Sequence, residues 1–330
     1  MEDNAKAIQL AFIDKIKNSL KNGKGLAEEL ADLLGLSADS AYRRMRGEIP
    51  LNVHEIDKMV KHFKVSFDMN MQGSMDMLVN FSYLKVAGDK HNFIKWLNTL
   101  LEHVVNIAKD DKSHIIYAAD DVPIWHHFTN EEFACFKLFY WLKCIVNHQD
   151  FAHIKFNASL IDEEMLDATK QMLYHYNQTS SVEIWSEDTM NSTLKQIEYF
   201  WENDFFTDKD QAIKMCLHVE SILQNLKKQA QHSSKNLDDK QNFTLFKSEV
   251  MIGNNSIIVQ LANSKMAFVS NNTFNMMNTS NPAFVNENEN WIKNLMQKSI
   301  QISGQSEKQR NQFFKILFDK VDALKTKINQ

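Results

Sequence analysis

GLAEELADLLGLSADSAYRRMRG, residues 25–47, is the stretch that decides the fold of the N-terminal part of this chain. In its first half, apolar side chains recur at helical spacing, at Leu26, Leu30, Ala31, Leu33 and Leu34. Gly35 interrupts this pattern and can adopt the positive φ of a tight turn, which most residues resist. Ser37 can then cap a second helix that runs to Arg46. The stretch therefore predicts a helix-turn-helix, whose second helix can lie in the major groove of DNA.

The order of the landmark residues resembles that of the lambda-repressor and Cro-like (XRE-type) helix-turn-helix family. These landmarks are Leu30-Ala31, Gly35, Leu36-Ser37, and Gly47 twelve places after Gly35. The resemblance implies a DNA-binding domain. One position departs from the family, because an apolar residue is usual nine places after the turn glycine and this chain has Arg44 there. Ala41 and Met45 keep an apolar pair one helical turn apart, which is compatible with a small rotation of the second helix.

The resemblance also implies which side chains contact DNA. Residues at the start of the second helix and one turn later should face base edges, namely Ala38, Asp39, Ser40 and Arg43. Three basic residues should contact phosphate without carrying sequence information, namely Lys24, Arg44 and Arg46. The alternative is a protein-interaction module that uses the helix-turn-helix as a protein-binding surface. The arginines of the second helix favour DNA, whereas an exposed apolar face would favour protein.

Net charge limits the kind of DNA binding that the sequence supports. Over residues 1–70, eleven Lys and Arg balance eleven Asp and Glu, a net of 11 − 11 = 0, and the remaining 26 against 31 give −5. No strong nonspecific attraction to DNA follows. A small domain without net positive charge makes few phosphate contacts, so we expect the protein to be a homodimer. The amphipathic segment from Ser306 to Ile328 is either a contributor to the dimer or a core helix.

Length and composition indicate two domains. At 330 residues, with only 8 Gly and 3 Pro, the chain should be mostly helical. A helix over 4–22 and another opened by Asn52 and Glu55 complete an all-α domain over residues 1–70. Residues 71–330 should form an α+β domain, mostly helical with a small antiparallel sheet. Strands are expected at 79–86, 113–121 and 182–185, and three consecutive antiparallel strands at 242–250, 256–262 and 265–270.

Motifs for metal binding or catalysis are missing from the sequence. The neighbours His126 and His127 lack the spacing of metal ligands, and Asp120-Asp121 is more typical of a turn at the end of a strand than of acid–base chemistry. The three cysteines, at positions 135, 144 and 216, suit a reducing cytoplasm. There is no secretory signal and no run of about 18 apolar residues. We expect a cytoplasmic protein that is not an enzyme and has no membrane segment, metal or cofactor.

Aromatic side chains are dense between residues 125 and 141, at Trp125, Phe128, Phe136, Phe139, Tyr140 and Trp141. Together with His126 and His127 they either line an apolar ligand pocket or pack in the core. Stretches such as DVPIWHHF, EIWSEDTMNS and ISGQSEKQRNQFF resemble the C-terminal part of a group of bacterial helix-turn-helix regulators. That resemblance implies dimerisation, partner contact or the sensing of an effector, which is a small molecule or a protein.

Overall fold

The computed structural model describes residues 2–19, 25–63, 65, 67, 79–86, 89–238, 240–272 and 274–330. Internal contacts divide the chain into two units, Met1–Asn80 and Phe81–Gln330. The domain boundary predicted after residue 70 lies outside the described residues.

The described part of the N-terminal unit is all-helical, as predicted. Its helices are α1 (Glu2–Ser19), α2 (Leu26–Leu34), α3 (Ala38–Met45) and α4 (Val53–Phe63). Each helix contributes buried apolar side chains to one small core, among them Phe12, Leu30, Ala41 and Met59. The end predicted for the first helix, at residue 22, lies outside the described residues.

The capping pair predicted for the fourth helix is confirmed. Asn52 N donates a hydrogen bond to Glu55 Oε2 at 3.0 Å, and Glu55 N donates to Asn52 Oδ1 at 2.9 Å. These reciprocal bonds satisfy two backbone N–H groups at the start of α4, which the helix itself leaves without acceptors.

The C-terminal unit combines helices with a sheet, so its α+β class is confirmed. Its helices are α5 (Lys90–Ala108), α6 (Glu131–Tyr140), α7 (Glu163–Gln178), α8 (Asn191–Glu202), α9 (Lys209–His232), α10 (Pro282–Gln297) and α11 (Glu307–Asn329). Its strands are β1 (Ser82–Tyr83), β2 (His114–Ala119), β3 (Ser180–Trp185), β4 (Phe243–Ser248), β5 (Ser256–Gln260), β6 (Lys265–Ser270), β7 (Met276–Thr279) and β8 (Ser299–Gln301). A 3₁₀ segment, Ile124–Thr129, precedes α6, and a π-helical turn, Trp141–Ile145, follows it.

Eight strands of the described residues form one mixed sheet in the order β1-β7-β6-β5-β2-β3-β4-β8. The neighbours β2, β3 and β4 are parallel, and every other neighbouring pair is antiparallel. Parallel strands are usually buried on both faces, which explains why β2 reads HIIYAA with little alternation.

The two faces of the sheet carry separate cores. Ile115 and Tyr117 of β2 belong to the larger core, which contains side chains of α5 to α9 and of α11. Ala118 of β2 and Ile258 of β5 belong to a smaller core beneath α10. The apolar stripe of α11, which includes Leu317, lies in the larger core against α9. Of the two alternatives for this segment, the structure shows the core helix.

The sheet is larger than predicted and is not wholly antiparallel. Of the three strands expected to pair consecutively late in the chain, only β5 and β6 are neighbours. β4 pairs instead with β3 and β8, because β2 and β3 lie between β4 and β5. Turn residues predict that strands consecutive in sequence pair with each other. The insertion of the earlier strands β2 and β3 between them depends instead on long crossovers that pack helices on the sheet.

Candidate nucleic-acid interface

The turn between α2 and α3 is formed by Gly35 and Ser37, as predicted. Gly35 has φ 67° and ψ 42°, a left-handed conformation that has no steric cost for glycine. Leu36 N donates a hydrogen bond to Ala31 O at 2.8 Å, which closes the end of α2. The side chain of Ser37 accepts a hydrogen bond from Ser40 N at 3.3 Å and caps α3.

The inner face of α3 fixes the helix to the unit. Ala41 is fully buried, and Met45 packs against the same small core as Ala31 of α2. The small side chains of Ala31 and Ala41 allow α2 and α3 to approach closely. The apolar pair that the sequence predicts for α3, Ala41 with Met45, therefore faces the core.

Gln9 of α1 holds the chain that follows α3. Its side-chain amide donates hydrogen bonds to Arg44 O at 2.7 Å and to Ile49 O at 2.9 Å, and it accepts one from Leu51 N at 2.9 Å. Gln9 is itself buried. The end of α3 and the following loop are thus positioned by three hydrogen bonds with one side chain, two donated and one accepted by Gln9. The sequence pattern had not indicated this role for Gln9.

The outer face of α3 collects most of the predicted DNA-contact residues. Exposed side chains on α3 and at its C-terminal end are Ala38, Asp39, Tyr42, Arg43 and Arg46. The arginine side chains are 49% and 60% exposed, for Arg43 and Arg46 respectively. Tyr42 was not among the predicted contacts. It lies three residues after Asp39 and four before Arg46, a spacing that places it on the same helical face.

Two of the predicted DNA-contact residues, Arg44 and Ser40, are hydrogen-bonded to each other. Arg44 forms a largely buried ion pair with Glu55 of α4, with Nη2 and Oε1 2.9 Å apart and the two side chains 14% and 10% exposed. Its guanidinium also donates to Ser40 Oγ at 3.1 Å and to Ser40 O at 3.3 Å. Arg44 is therefore held between α3 and α4 rather than on the exposed face. It lies nine places after Gly35, where the lambda-repressor-like pattern predicts an apolar residue, and Glu55 neutralises its charge.

Glu48 neutralises part of the exposed positive charge. Its carboxylate lies 2.8 Å from Arg46 Nε and 3.5 Å from Arg43 Nε. Exposed ion pairs of this kind contribute little to stability, about 0–1 kcal/mol. The two arginines can therefore leave Glu48 at small cost when a phosphate or a base edge is available. The remaining predicted contact, Lys24, lies outside the described residues.

In the C-terminal unit, the acidic pair and the two histidines noted in the sequence have different environments. The Asp121 carboxylate accepts hydrogen bonds from Val122 N at 2.8 Å and Ser192 Oγ at 3.0 Å. Burial, together with the Asp121 charge, raises the pKa of Asp120.

Among the described residues, no group of three His, Cys, Asp or Glu side chains could hold a metal ion. In the same part of the chain, no helix is long and apolar enough to cross a membrane.

His126 belongs to a buried network around Glu183 of β3. His126 Nε2 lies 2.9 Å from Glu183 Oε1, and Trp185 Nε1 donates to Glu183 Oε2 at 2.8 Å. The Tyr176 hydroxyl donates a hydrogen bond to the same carboxylate. Burial opposes the charge of Glu183, but His126 and the hydrogen bonds hold the pKa of this carboxyl below its usual value. The Glu183 carboxylate accepts hydrogen bonds from three side chains and is fully buried, which indicates a structural role.

Comparisons with known proteins bear on the helical unit. Neither the curated proteins nor the solved structures gave a match to this chain. Residues 9–80 match the family model described as the BetR domain, a family of DNA-binding domains of the helix-turn-helix type.

Proposed function

We propose that this protein is a sequence-specific DNA-binding transcriptional regulator, in which α3 enters the major groove of double-stranded DNA. The main support is the outer face of α3, where Arg43 and Arg46 are exposed beside Tyr42. The match of residues 9–80 to a DNA-binding domain family supports the same function. The lambda-repressor-like subtype stays a prediction from the residue spacing.

The side chains of α3 divide into two groups by their chemistry. Arg43 can donate two hydrogen bonds to guanine O6 and N7, Asp39 can accept from cytosine N4, and Ala38 can contact a thymine methyl group. Arg46, at the C-terminal end of the helix, contacts phosphate. We assign no DNA contact to Arg44, because its guanidinium is bound to Glu55 and Ser40. Ser40 stays a predicted base contact.

We further propose that the protein acts as a homodimer without catalytic activity in the cytoplasm, where a regulator reaches DNA. The C-terminal unit then serves dimerisation, effector sensing or partner contact. Two helix-turn-helix units double the phosphate contacts and recognise two half-sites. Light scattering at micromolar protein concentration should return twice the 38.4 kDa chain mass. A single-chain mass, both with and without bound DNA, would contradict the dimer.

Selection of bound fragments from genomic DNA tests the main proposal. Wild-type protein should enrich a shared sequence, and the double variant Arg43→Ala/Arg46→Ala should enrich none. A matched control, Lys58→Ala/Lys61→Ala, removes the same charge from α4 and should enrich the wild-type sequence. Circular dichroism checks that each variant is folded. If the wild type enriches no sequence, or the arginine variant enriches the same one, the proposal is wrong and the protein-interaction alternative replaces it.

A further inference from the structure

A cavity of about 110 Å³ lies inside the C-terminal unit, between the sheet and the helices that cover its larger core. Apolar and aromatic side chains form most of its wall, including Trp96, Trp125, Trp141, Ile257 and Phe274. Ligand pockets in proteins are typically apolar with a few polar groups that orient the ligand. The volume is sufficient for one small molecule, since a single water molecule needs only about 10–15 Å³. Of the aromatic residues noted in the sequence, Trp125 and Trp141 line this cavity, whereas Phe136 and Phe139 are packed in the core.

Lys137 of α6 is the charged group in the cavity wall that has the least compensation. Its side chain is 1% exposed, its ammonium donates one hydrogen bond, to Gln196 Oε1 at 2.6 Å, and its Nζ lies 5.6 Å from the centre of the Trp141 ring. An ammonium group has three donors. No carboxylate of the described residues forms an ion pair with Lys137. Asp121 also lines the cavity, but it is connected to Lys137 only through Ser192 and Gln196.

Two other buried lysines of this unit have more hydrogen-bond acceptors around their ammonium groups than Lys137 has. Lys143 Nζ donates to three backbone carbonyls, those of Phe151, Ala152 and Ile154, at 2.8, 2.7 and 3.2 Å. Lys235 Nζ donates to two backbone carbonyls, at 3.0 and 2.6 Å, and lies over the ring of Tyr176. Neither of these lysines lines the cavity. Of these three buried lysines, the one on the cavity wall, Lys137, donates the fewest hydrogen bonds and keeps two donors free.

His127 supplies a second polar group of the cavity wall with unused hydrogen-bonding capacity. Its Nε2 atom lies 3.1 Å from Thr193 Oγ1, while its Nδ1 atom is buried and has no hydrogen-bond partner. His127 also lines the cavity and is 2% exposed. Burial and the nearby charge of Lys137 lower the pKa of His127 well below its ordinary value, so the ring is neutral. Buried polar atoms are normally satisfied, which makes this exception informative.

We propose that the cavity binds a small apolar carboxylic acid as its carboxylate. The ligand carboxylate accepts hydrogen bonds from the ammonium of Lys137, and its apolar body contacts the aromatic wall. His127 bonds to the ligand or to a water held by it. An anion is the ligand chemistry that compensates a buried cation, and charge-assisted hydrogen bonds to a carboxylate are stronger than neutral ones. This site lies wholly within the C-terminal unit and does not depend on the proposed DNA binding.

Titration of the full-length protein with benzoate, phenylacetate and hexanoate tests the proposal, with benzamide as the neutral analogue of benzoate. Trp96, Trp125 and Trp141 line the cavity, so binding should change the tryptophan fluorescence and raise Tm. At least one of the three carboxylates should bind the wild type. Its affinity for Lys137→Met should be lower by about tenfold or more. Benzamide should bind both proteins weakly and equally. Lys315→Met, a change of the same kind on the surface of α11, should bind like the wild type.

The variant itself gives a second measurement that needs no ligand. Replacing this buried and only partly compensated ammonium by methionine should raise Tm or leave it unchanged. The same replacement at Lys143 should lower Tm, because three carbonyls lose their donor. The proposal is overturned if no carboxylate binds the wild type, if Lys137→Met binds them equally well, or if Lys137→Met lowers Tm as Lys143→Met does.

Discussion

Arg44 and Glu55 form an ion pair that joins the proposed recognition helix α3 to α4, with Nη2 and Oε1 2.9 Å apart. Glu55 also accepts the backbone N–H of Asn52 at the start of α4. One carboxylate thus compensates a largely buried guanidinium and caps a helix. The pair explains how the motif accommodates arginine at a position where the sequence pattern predicts an apolar residue.

Loss of one member of this pair should destabilise the N-terminal unit. Arg44→Leu leaves Glu55 buried without its partner, so we expect a loss of about 3 kcal/mol in the free energy of unfolding. Adding Glu55→Gln removes the charge while keeping an acceptor for Asn52 N, and most of the loss should be recovered. Urea unfolding, followed by hydrogen exchange in peptides from residues 25–63, measures both variants. Equal stability of the wild type and Arg44→Leu would contradict the structural role assigned to the pair.

The two exposed arginines should have separable effects on DNA binding. Arg43→Ala should cost about 1–3 kcal/mol on the preferred site and relax base choice, because a base-edge contact is lost. Arg46→Ala should weaken binding to all sequences alike and lower the salt slope by about one, because a phosphate contact is lost. Binding titrations at several salt concentrations, on the preferred site and on point variants of it, distinguish the two. Identical profiles for both substitutions would refute the division of roles.

Glu48→Gln should strengthen DNA binding. The substitution removes a negative charge that lies close to Arg43 and Arg46 and that competes with phosphate for both. We expect a gain of about 0.5–1 kcal/mol at low salt, which shrinks as salt screens the charges. Asp57→Gln is a control, because it removes the same charge from an exposed pair with Lys61 on α4. A gain of the same size in the control would show that only net charge matters.

Binding of carboxylates to the proposed cavity should depend on the protonation of Lys137. Burial lowers the pKa of this lysine to about 8, against which the charge of Asp121 acts only partly. The charged form exists below that pH, so benzoate affinity should be constant near pH 6–7 and should fall above about 8. Burial also lowers the pKa of His127 and His103 and raises that of Tyr117, so none of these three wall residues changes its charge near pH 8. Calorimetry between pH 6 and 9.5 measures the effect, and an unchanged affinity across pH 8 would refute it.

The sequence by itself determined the elements whose causes are local. Gly35 takes the left-handed conformation that ends α2, Ser37 caps α3, and Asn52 with Glu55 caps α4. These features depend on residues within a few positions of one another, where backbone sterics and short hydrogen bonds act without the rest of the fold. The same holds for the exposed position of Arg43, which follows from helical spacing.

Only the tertiary structure decided which distant groups meet. The order of the sheet, with β2 and β3 between β4 and β5, follows from crossovers that no turn residue specifies. Arg44 is a predicted DNA contact in the sequence, and the tertiary structure pairs its guanidinium with Glu55 of the next helix. In the sequence, Lys137 is an ordinary helix residue, whereas in the structure α8 and the sheet enclose it beside a cavity. The physical reason is common to all three, since burial and charge compensation depend on neighbours in space, and chain folding brings these together across tens of residues.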